Sequence, residues 1–139
     1  MLDARFTYVL GDDLRILVTD DDPIMREFAT VYLSTPSVSV ETAHCGEAGL
    51  ARLESEPFDL ALLDIDMPGL NGYEVLARIR AHPRLHELPV VVVTSNEDIA
   101  SIDRAYQIGA TSFVTKPVNW RLLAYQLRFV MRAQKALAA

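Results

Sequence analysis

Carboxylates follow two of the apolar runs in this sequence. Asp20 and Asp21 come directly after the run RILVT, and Asp64 ends the run LALLD. Carboxylates that are brought together repel one another unless a cation lies between them. Oxygen ligands suit a hard divalent ion, and Mg²⁺ in particular binds through one or two carboxylates, keeps several waters and is completed by a phosphate oxygen. These three aspartates therefore predict a Mg²⁺ site, provided that the fold brings them together.

A hydroxyl and an ammonium group follow two further apolar runs. Thr94 ends the run VVVVT, and Lys116 follows the run SFVT. The Lys116 ammonium can pair with a carboxylate or a phosphate, and the Thr94 hydroxyl can donate a hydrogen bond to a phosphoryl oxygen. Together with Mg²⁺ they would neutralise the oxygens of a phosphoryl group during its transfer.

Short apolar runs alternate with amphipathic segments along the chain. Buried parallel strands are predicted at Arg15–Thr19, Ser37–Ala43, Leu60–Asp64, Val90–Thr94 and Ser112–Thr115, and helices at Ile24–Leu33, Glu47–Glu54, Gly72–Ala81, Ile99–Ile108 and Trp120–Lys135. Five such units predict an α/β fold with a doubly wound, five-stranded parallel sheet of flavodoxin-like order 2-1-3-4-5. In that order the first and third strands are neighbours, so their carboxyl ends meet.

Composition excludes several other classes of protein. The 139 residues contain one cysteine, which rules out a disulfide scaffold, and no apolar run approaches the length of a membrane span. All 19 acidic residues lie at or before Asp103, and the net charge is -6. An acidic body with a basic last segment argues against direct nucleic-acid binding by this domain. A cytoplasmic location with no membrane association is expected.

Four runs together resemble the receiver domain of two-component response regulators. In chain order they are ILVTDDDP, LLDIDMPGLNGYEVL, PVVVVTS and GATSFVTKP. The resemblance implies a CheY-like receiver that accepts a phosphoryl group on Asp64 from a histidine kinase or phosphotransfer protein. It also implies that Asp20, Asp21, Asp64 and the backbone carbonyl of Asp66 hold Mg²⁺, and that Thr94 and Lys116 contact the phosphoryl group. A receiver catalyses only its own phosphorylation and dephosphorylation, so it is not expected to be an enzyme in the ordinary sense.

The same resemblance assigns switch and lifetime residues. Phe113 matches an aromatic residue that turns inward on activation, although it also fits a plain core position. Asp66 and Asn96 match the side chains that flank the attacking water. As a carboxylate in an anionic site, Asp66 can either order that water or repel it, and the sequence leaves both open.

The last predicted helix carries more apolar surface than one core face needs. Leu123, Leu127 and Val130 form one stripe, whereas Leu122, Tyr125 and Phe129 form a second beside Arg121, Arg128 and Arg132. We expect the second stripe and these arginines to bind a partner or a second copy of the chain. The resemblance implies that the output surface, which controls an output domain or effector, comprises helix Ile99–Ile108, strand Ser112–Thr115 and this helix.

The predicted domain organisation is an N-terminal extension at residues 1–13, in which Phe6–Leu10 is an extra edge strand or a tail, and one receiver domain at residues 14–137. The last helix is also similar to that of receivers preceding cyclic-di-GMP domains, which would make this chain a part of a longer regulator. Two alternatives remain: a haloacid-dehalogenase-like phosphatase, disfavoured by motif order, and a receiver-like binding module that is never phosphorylated.

Overall fold

The computed structural model describes residues 9–11 and 13–138, and it contains the ten predicted elements in the predicted order. The strands are β1 (Leu14–Thr19), β2 (Val38–Ala43), β3 (Leu60–Asp64), β4 (Val90–Thr94) and β5 (Ser112–Thr115). The helices are α1 (Pro23–Leu33), α2 (Gly46–Ser55), α3 (Gly72–Ala81), α4 (Ile99–Ile108) and α5 (Trp120–Ala138). The predicted bounds differ from these by no more than one residue, except at the end of α5.

The strands form one parallel sheet in the order β2-β1-β3-β4-β5, which confirms the predicted fold class. Every residue of β3 and β4 is buried, as expected for strands covered by helices on both faces. One apolar cluster joins the sheet to α1 and α5, and the other joins it to α2, α3 and α4. The sheet is thus held between two helical layers, and its carboxyl edge is left for the connecting loops.

Strand register aligns the polar residues at that edge. Thr19 pairs with Leu63, so Asp20 follows β1 at the level where Asp64 ends β3. Asp64 in turn pairs with Val93, and Thr94 pairs with Thr115, next to Lys116. Four separate segments therefore place these polar side chains at one edge of the sheet, as the predicted strand order requires.

Capping side chains start the helices that leave this edge. The Asp22 carboxylate accepts a hydrogen bond from the amide of Ile24, and Pro23 follows it as the first helical residue. At α3, Asn71 and Glu74 form a reciprocal capping box. Asp22 therefore acts as a helix cap, which separates it in role from Asp20 and Asp21.

The predicted N-terminal extension is only partly within the described residues. Residues 1–8 and Asp12 lie outside them, and so does most of the segment predicted as an edge strand or a tail. Val9 and Leu10 do not form a strand, and Leu10 is buried in the cluster beneath α1 and α5. In the described part of the chain, no helix has the length and apolar character needed to cross a membrane.

Gly72 lets α3 start directly against the end of β3. A Cβ atom at this position would lie 2.4 Å from the Asp64 carbonyl oxygen and 2.6 Å from the Ile65 Cα. Both are backbone atoms that cannot move aside without displacing Asp64. Glycine is thus required at this position, because the backbone of Asp64 and Ile65 leaves no room for a Cβ atom.

We predict that Gly72→Ala lowers the free energy of unfolding by about 1–3 kcal/mol, the usual range for overpacking. The measurement is urea denaturation of the whole chain. Ala77→Leu is the matched control, because it adds side-chain volume at an exposed position of the same helix and should change stability by less than about 0.5 kcal/mol. Equal stability of the two variants would show that the close contact at Gly72 does not make a side chain there destabilising.

Candidate functional site

Three carboxylates converge at the carboxyl ends of β1 and β3. One oxygen from each of Asp20, Asp21 and Asp64 lies within 4.8 Å of the others. Asp20 and Asp64 are almost fully buried, at 2% and 1% exposure, whereas Asp21 is exposed. The cluster therefore has a buried floor and an open side toward solvent.

Local hydrogen bonds fix the Asp20 residue in place. Its Oδ1 accepts a hydrogen bond from the amide of Asp22 at 2.9 Å. Its main-chain carbonyl accepts one from the Arg26 guanidinium on α1 at 2.8 Å. The start of α1 thus holds the Asp20 carboxylate toward β3 at the edge of the site.

The two carboxylate oxygens of Asp64 have different surroundings. Oδ1 accepts a hydrogen bond from the amide of Asp66 at 3.0 Å and lies 3.4 Å from the Lys116 Nζ. Oδ2 is buried, yet within the described residues it has no hydrogen-bond partner. A buried oxygen with no donor is destabilising unless a ligand completes it, and so Asp64 Oδ2 is the atom that requires an explanation.

Burial raises the pKa of Asp64 to about 6, and the neighbouring carboxylate of Asp20 acts in the same direction. The Asp66 amide and the Lys116 ammonium oppose this rise without cancelling it. At neutral pH Asp64 is therefore mostly ionised, and its charge is poorly compensated.

Lys116 lies between the two buried carboxylates. Its Nζ is 3.4 Å from Asp20 Oδ2 and 3.4 Å from Asp64 Oδ1. Burial disfavours the ammonium, but the charges of Asp20 and Asp64 outweigh burial and raise the pKa of Lys116 above its ordinary value. One ammonium against three carboxylates leaves this cluster with a net negative charge.

The donor set fits a hard divalent cation. All three side chains offer oxygen, and one position is open to solvent. One of the three, Asp64, also has a buried oxygen with no partner among the described residues. These are the properties of a Mg²⁺ site that keeps several waters, whereas a zinc site would use nitrogen or sulfur ligands. The predicted ligand role of the Asp66 backbone carbonyl stays a prediction.

Thr94 is connected to the site through Asp66. The buried Thr94 hydroxyl donates to Asp66 Oδ2 at 3.0 Å. The amide and the hydroxyl of Ser95 lie 3.3 Å from the same oxygen. The structure therefore brings together Asp20, Asp21, Asp64 and Lys116, while Thr94 is engaged by the side chain of Asp66.

Asn96 extends these contacts into α4. The backbone amide of Asn96 donates a hydrogen bond to the Thr94 hydroxyl oxygen at 3.1 Å. The side-chain amide of Asn96 donates one to the Ser101 hydroxyl, also at 3.1 Å. The hydroxyl of Tyr73 on α3 reaches the carbonyl of Ser101, and the Arg104 guanidinium lies 4.0 Å from the centre of the Tyr73 ring. Sequence reasoning missed Ser101, Tyr73 and Arg104, because only the fold brings α3 and α4 together.

The remaining predicted residues lie away from the carboxylates. Phe113 is half-buried and packs against the cluster beneath α2, α3 and α4. On α5 the stripe Leu123, Leu127 and Val130 is buried, whereas Leu122, Tyr125 and Phe129 are exposed. Arg121 and Arg132 are exposed beside that second stripe, and Arg128 is half-buried.

Comparisons with known proteins agree with this arrangement. A family model described as the response regulator receiver domain matches residues 16–128. The heme response regulator HssR of Staphylococcus aureus is 30% identical over 119 residues, which are 86% of this chain and 52% of that protein. The chain thus spans about half the length of the curated relatives it matches.

Two solved structures extend the comparison. A CheY-like response regulator receiver domain protein of Methanospirillum hungatei is 31% identical with a TM-score of 0.81, covering 88% of this chain and 97% of that one. The phosphorylated cyanobacterial phytochrome response regulator RcpA is 27% identical with a TM-score of 0.73, covering 84% and 90%. The family match includes all four sequence runs and the convergent carboxylates, and this chain belongs to the response regulator receiver domain family.

Proposed function

We propose that this chain is a phosphorylation-dependent signal receiver that accepts a phosphoryl group on Asp64 in the presence of Mg²⁺. The observation that carries the proposal is the buried Asp64 Oδ2, which lacks a partner among the described residues. It belongs to a carboxylate that clusters with Asp20 and Asp21 and whose other oxygen, Oδ1, lies 3.4 Å from the Lys116 Nζ. Membership of the receiver family argues against the phosphatase alternative. The remaining alternative is a binding module that is never phosphorylated.

Asp64 Oδ2 is the nucleophile in this proposal. It forms a bond to phosphorus as the bond between phosphorus and the donor breaks, and the bonding electrons leave with the donor group. Water later forms a bond to phosphorus as the bond between phosphorus and Asp64 Oδ2 breaks, so inorganic phosphate leaves and the carboxylate is restored. Oδ1 keeps its hydrogen bond from the backbone amide of Asp66. This hydrogen bond orients the carboxylate and leaves Oδ2 free to react.

The neighbouring charges determine which ligand the site accepts. Asp20, Asp21 and Asp64 would hold Mg²⁺ together with the Asp66 carbonyl, and the bound ion would supply positive charge to the phosphoryl oxygens. Lys116 already lies 3.4 Å from Asp64 and offsets part of the charge that the phosphoryl group adds. Thr94 is the proposed hydroxyl donor to a phosphoryl oxygen.

The switch is proposed to act through α4, β5 and α5. A phosphoryl group adds nearly two negative charges and three strong acceptors, so it attracts Thr94 and Lys116. Movement of Thr94 alters the contacts of Asn96 with α4, and Phe113 on β5 turns inward. The changed surface then controls an output domain or effector. Asp66 and Asn96 flank the water that ends the signal.

Two exposed apolar stripes are the proposed partner surfaces. Ile24, Phe28 and Val31 are exposed along α1, which starts directly after the carboxylates. This position suits a histidine kinase or phosphotransfer protein that brings its phosphoryl group to Asp64. On α5 the stripe Leu122, Tyr125 and Phe129, with its flanking arginines, suits an effector or a second copy of the chain.

We further propose that residues 14–137 form the receiver domain of a longer cytoplasmic regulator, with residues 1–13 as an extension. The relative HssR supports this, because the match covers about half of that protein. The domain itself is proposed to bind neither nucleic acid nor membrane.

The first prediction for this function concerns covalent modification. Incubation with acetyl phosphate and Mg²⁺ should add one phosphoryl group, as measured by intact-mass analysis, and chelation of the metal should abolish the gain. Asp64→Asn removes the nucleophile and should not be modified. Asp103→Asn, at an exposed acidic position on α4, is the matched control and should behave as the wild type. Equal labelling of Asp64→Asn would contradict the assignment, and no labelling of the wild type would favour the binding module.

The second prediction concerns stability without metal. The pKa of Asp64 is raised from 3.8 to about 6, so between these values the folded chain binds a proton that the unfolded chain has lost. This group's contribution to stability therefore falls as pH rises from about 4 to 6. Asp64→Asn removes the penalty and should raise Tm by about 5 °C more at about pH 7.5 than at about pH 4.5.

Mg²⁺ provides the control for the second prediction. Millimolar Mg²⁺ should raise the Tm of the wild type at neutral pH and should raise that of Asp64→Asn less, because one of the ligands has lost its charge. A Tm difference between variant and wild type that is independent of pH would refute the electrostatic explanation. No stabilisation of the wild type by Mg²⁺ would refute the metal assignment.

A further inference from the structure

One carboxylate oxygen of Asp66 contacts both Thr94, at the end of β4, and Ser95, directly after it. Asp66 Oδ2 accepts from the Thr94 hydroxyl at 3.0 Å and lies 3.3 Å from both the amide and the hydroxyl of Ser95. Asp66 is exposed, so water could satisfy its carboxylate without these contacts. The carboxylate nevertheless joins the loop after β3 to the loop after β4, across the mouth of the site.

The Thr94 hydroxyl cannot serve two acceptors at once. A hydroxyl has one proton to donate, and that of Thr94 is donated to Asp66. Its oxygen already accepts from the Asn96 amide. A phosphoryl oxygen on Asp64 can therefore obtain this hydrogen bond only if Asp66 gives it up.

We propose that the Asp66 carboxylate is a positioning residue that holds the Thr94 hydroxyl away from the phosphoryl site and so favours the unphosphorylated conformation. This inference rests on the proposed phosphorylation of Asp64. It concerns the side chain of Asp66, as distinct from its backbone carbonyl and from any effect on attacking water. The Asp66–Thr94 hydrogen bond and the Thr94–phosphoryl hydrogen bond are alternatives, and their difference in free energy contributes to the switch.

The geometry explains how release at Asp66 reaches the surface. Ser95 follows Thr94 directly and contacts the same Asp66 oxygen, so movement of Thr94 also changes the Ser95 contacts. Asn96 follows directly and donates to Ser101 in the first turn of α4. Because Asp66 is exposed, water replaces the lost donors, and the release remains readily reversible.

The carboxylate also repels a phosphoryl group by its charge, and the test must separate this effect from the hydrogen bond. Asp66→Asn keeps the shape and the main-chain groups but weakens the acceptor and removes the charge. Thr94→Val removes the hydroxyl but not the charge at position 66. Repulsion would act whether or not the hydroxyl is present at position 94, whereas the proposed competition requires the hydroxyl.

The experiment is a double-mutant cycle on the affinity for beryllofluoride with Mg²⁺, a non-covalent mimic of the phosphoryl group. Wild type, Asp66→Asn, Thr94→Val and the double variant are titrated, and dissociation constants are read from backbone amide resonances. The same spectra show whether each variant is folded. Asp66→Asn should tighten binding about fivefold more when Thr94 is present than in the Thr94→Val background. Thr94→Ser, which keeps the hydroxyl, should restore that difference.

Each other outcome overturns the inference. An equal gain in both backgrounds would show that Asp66 acts through its charge alone. No gain with Asp66→Asn would show that the hydrogen bond does not oppose the switch. A wild type that binds no beryllofluoride with Mg²⁺ would instead reject the proposed function, and the inference with it, so the two failures are distinguishable.

Discussion

The rest of this structure depends on the close approach of two buried carboxylates. Parallel pairing of β1 with β3 fixes Asp20 beside Asp64, and both side chains are almost fully buried. Burial, assisted by the nearby charge of Asp20, raises the pKa of Asp64, and the two carboxylates keep Lys116 charged as an ammonium between them. The compensation is incomplete, since one ammonium faces three carboxylates. The acidic cluster therefore favours a cation, and the proposed phosphorylation would require that added positive charge.

A series of hydrogen bonds connects the carboxylates of the site to helix α4 at the surface. The Asp64 side chain accepts a hydrogen bond from the backbone amide of Asp66. The Asp66 side chain in turn accepts hydrogen bonds from Thr94 and Ser95. Asn96 continues the series into the first turn of α4. In the proposed switch, a phosphoryl oxygen on Asp64 competes with Asp66 for the Thr94 hydroxyl, which has one proton to donate. These hydrogen bonds form a continuous series from β3 to α4, which is the proposed route of the switch.

Sequence alone was sufficient for the fold and for the prediction that these polar residues lie at one edge of the sheet. Runs of valine and leucine specify buried parallel strands, and a parallel order of 2-1-3-4-5 then forces Asp20, Asp64, Thr94 and Lys116 to one edge. The direction of side chains within loops was beyond that reasoning. The bond from Thr94 to Asp66, and the contact of Tyr73 with Ser101, depend on how two loops and two helices meet. No periodicity or spacing in the sequence encodes such contacts.

The most direct test of the account is to locate the phosphoryl group chemically. Hydroxylamine converts an acyl phosphate into a stable hydroxamate, which marks the modified carboxyl group for peptide mass spectrometry after treatment with acetyl phosphate and Mg²⁺. The account predicts a Mg²⁺-dependent hydroxamate on Asp64, because its buried Oδ2 has no hydrogen-bond partner in the part of the chain that the structure describes. A hydroxamate on Asp20, Asp21 or Asp66 in place of Asp64, or none on any of them, would contradict it.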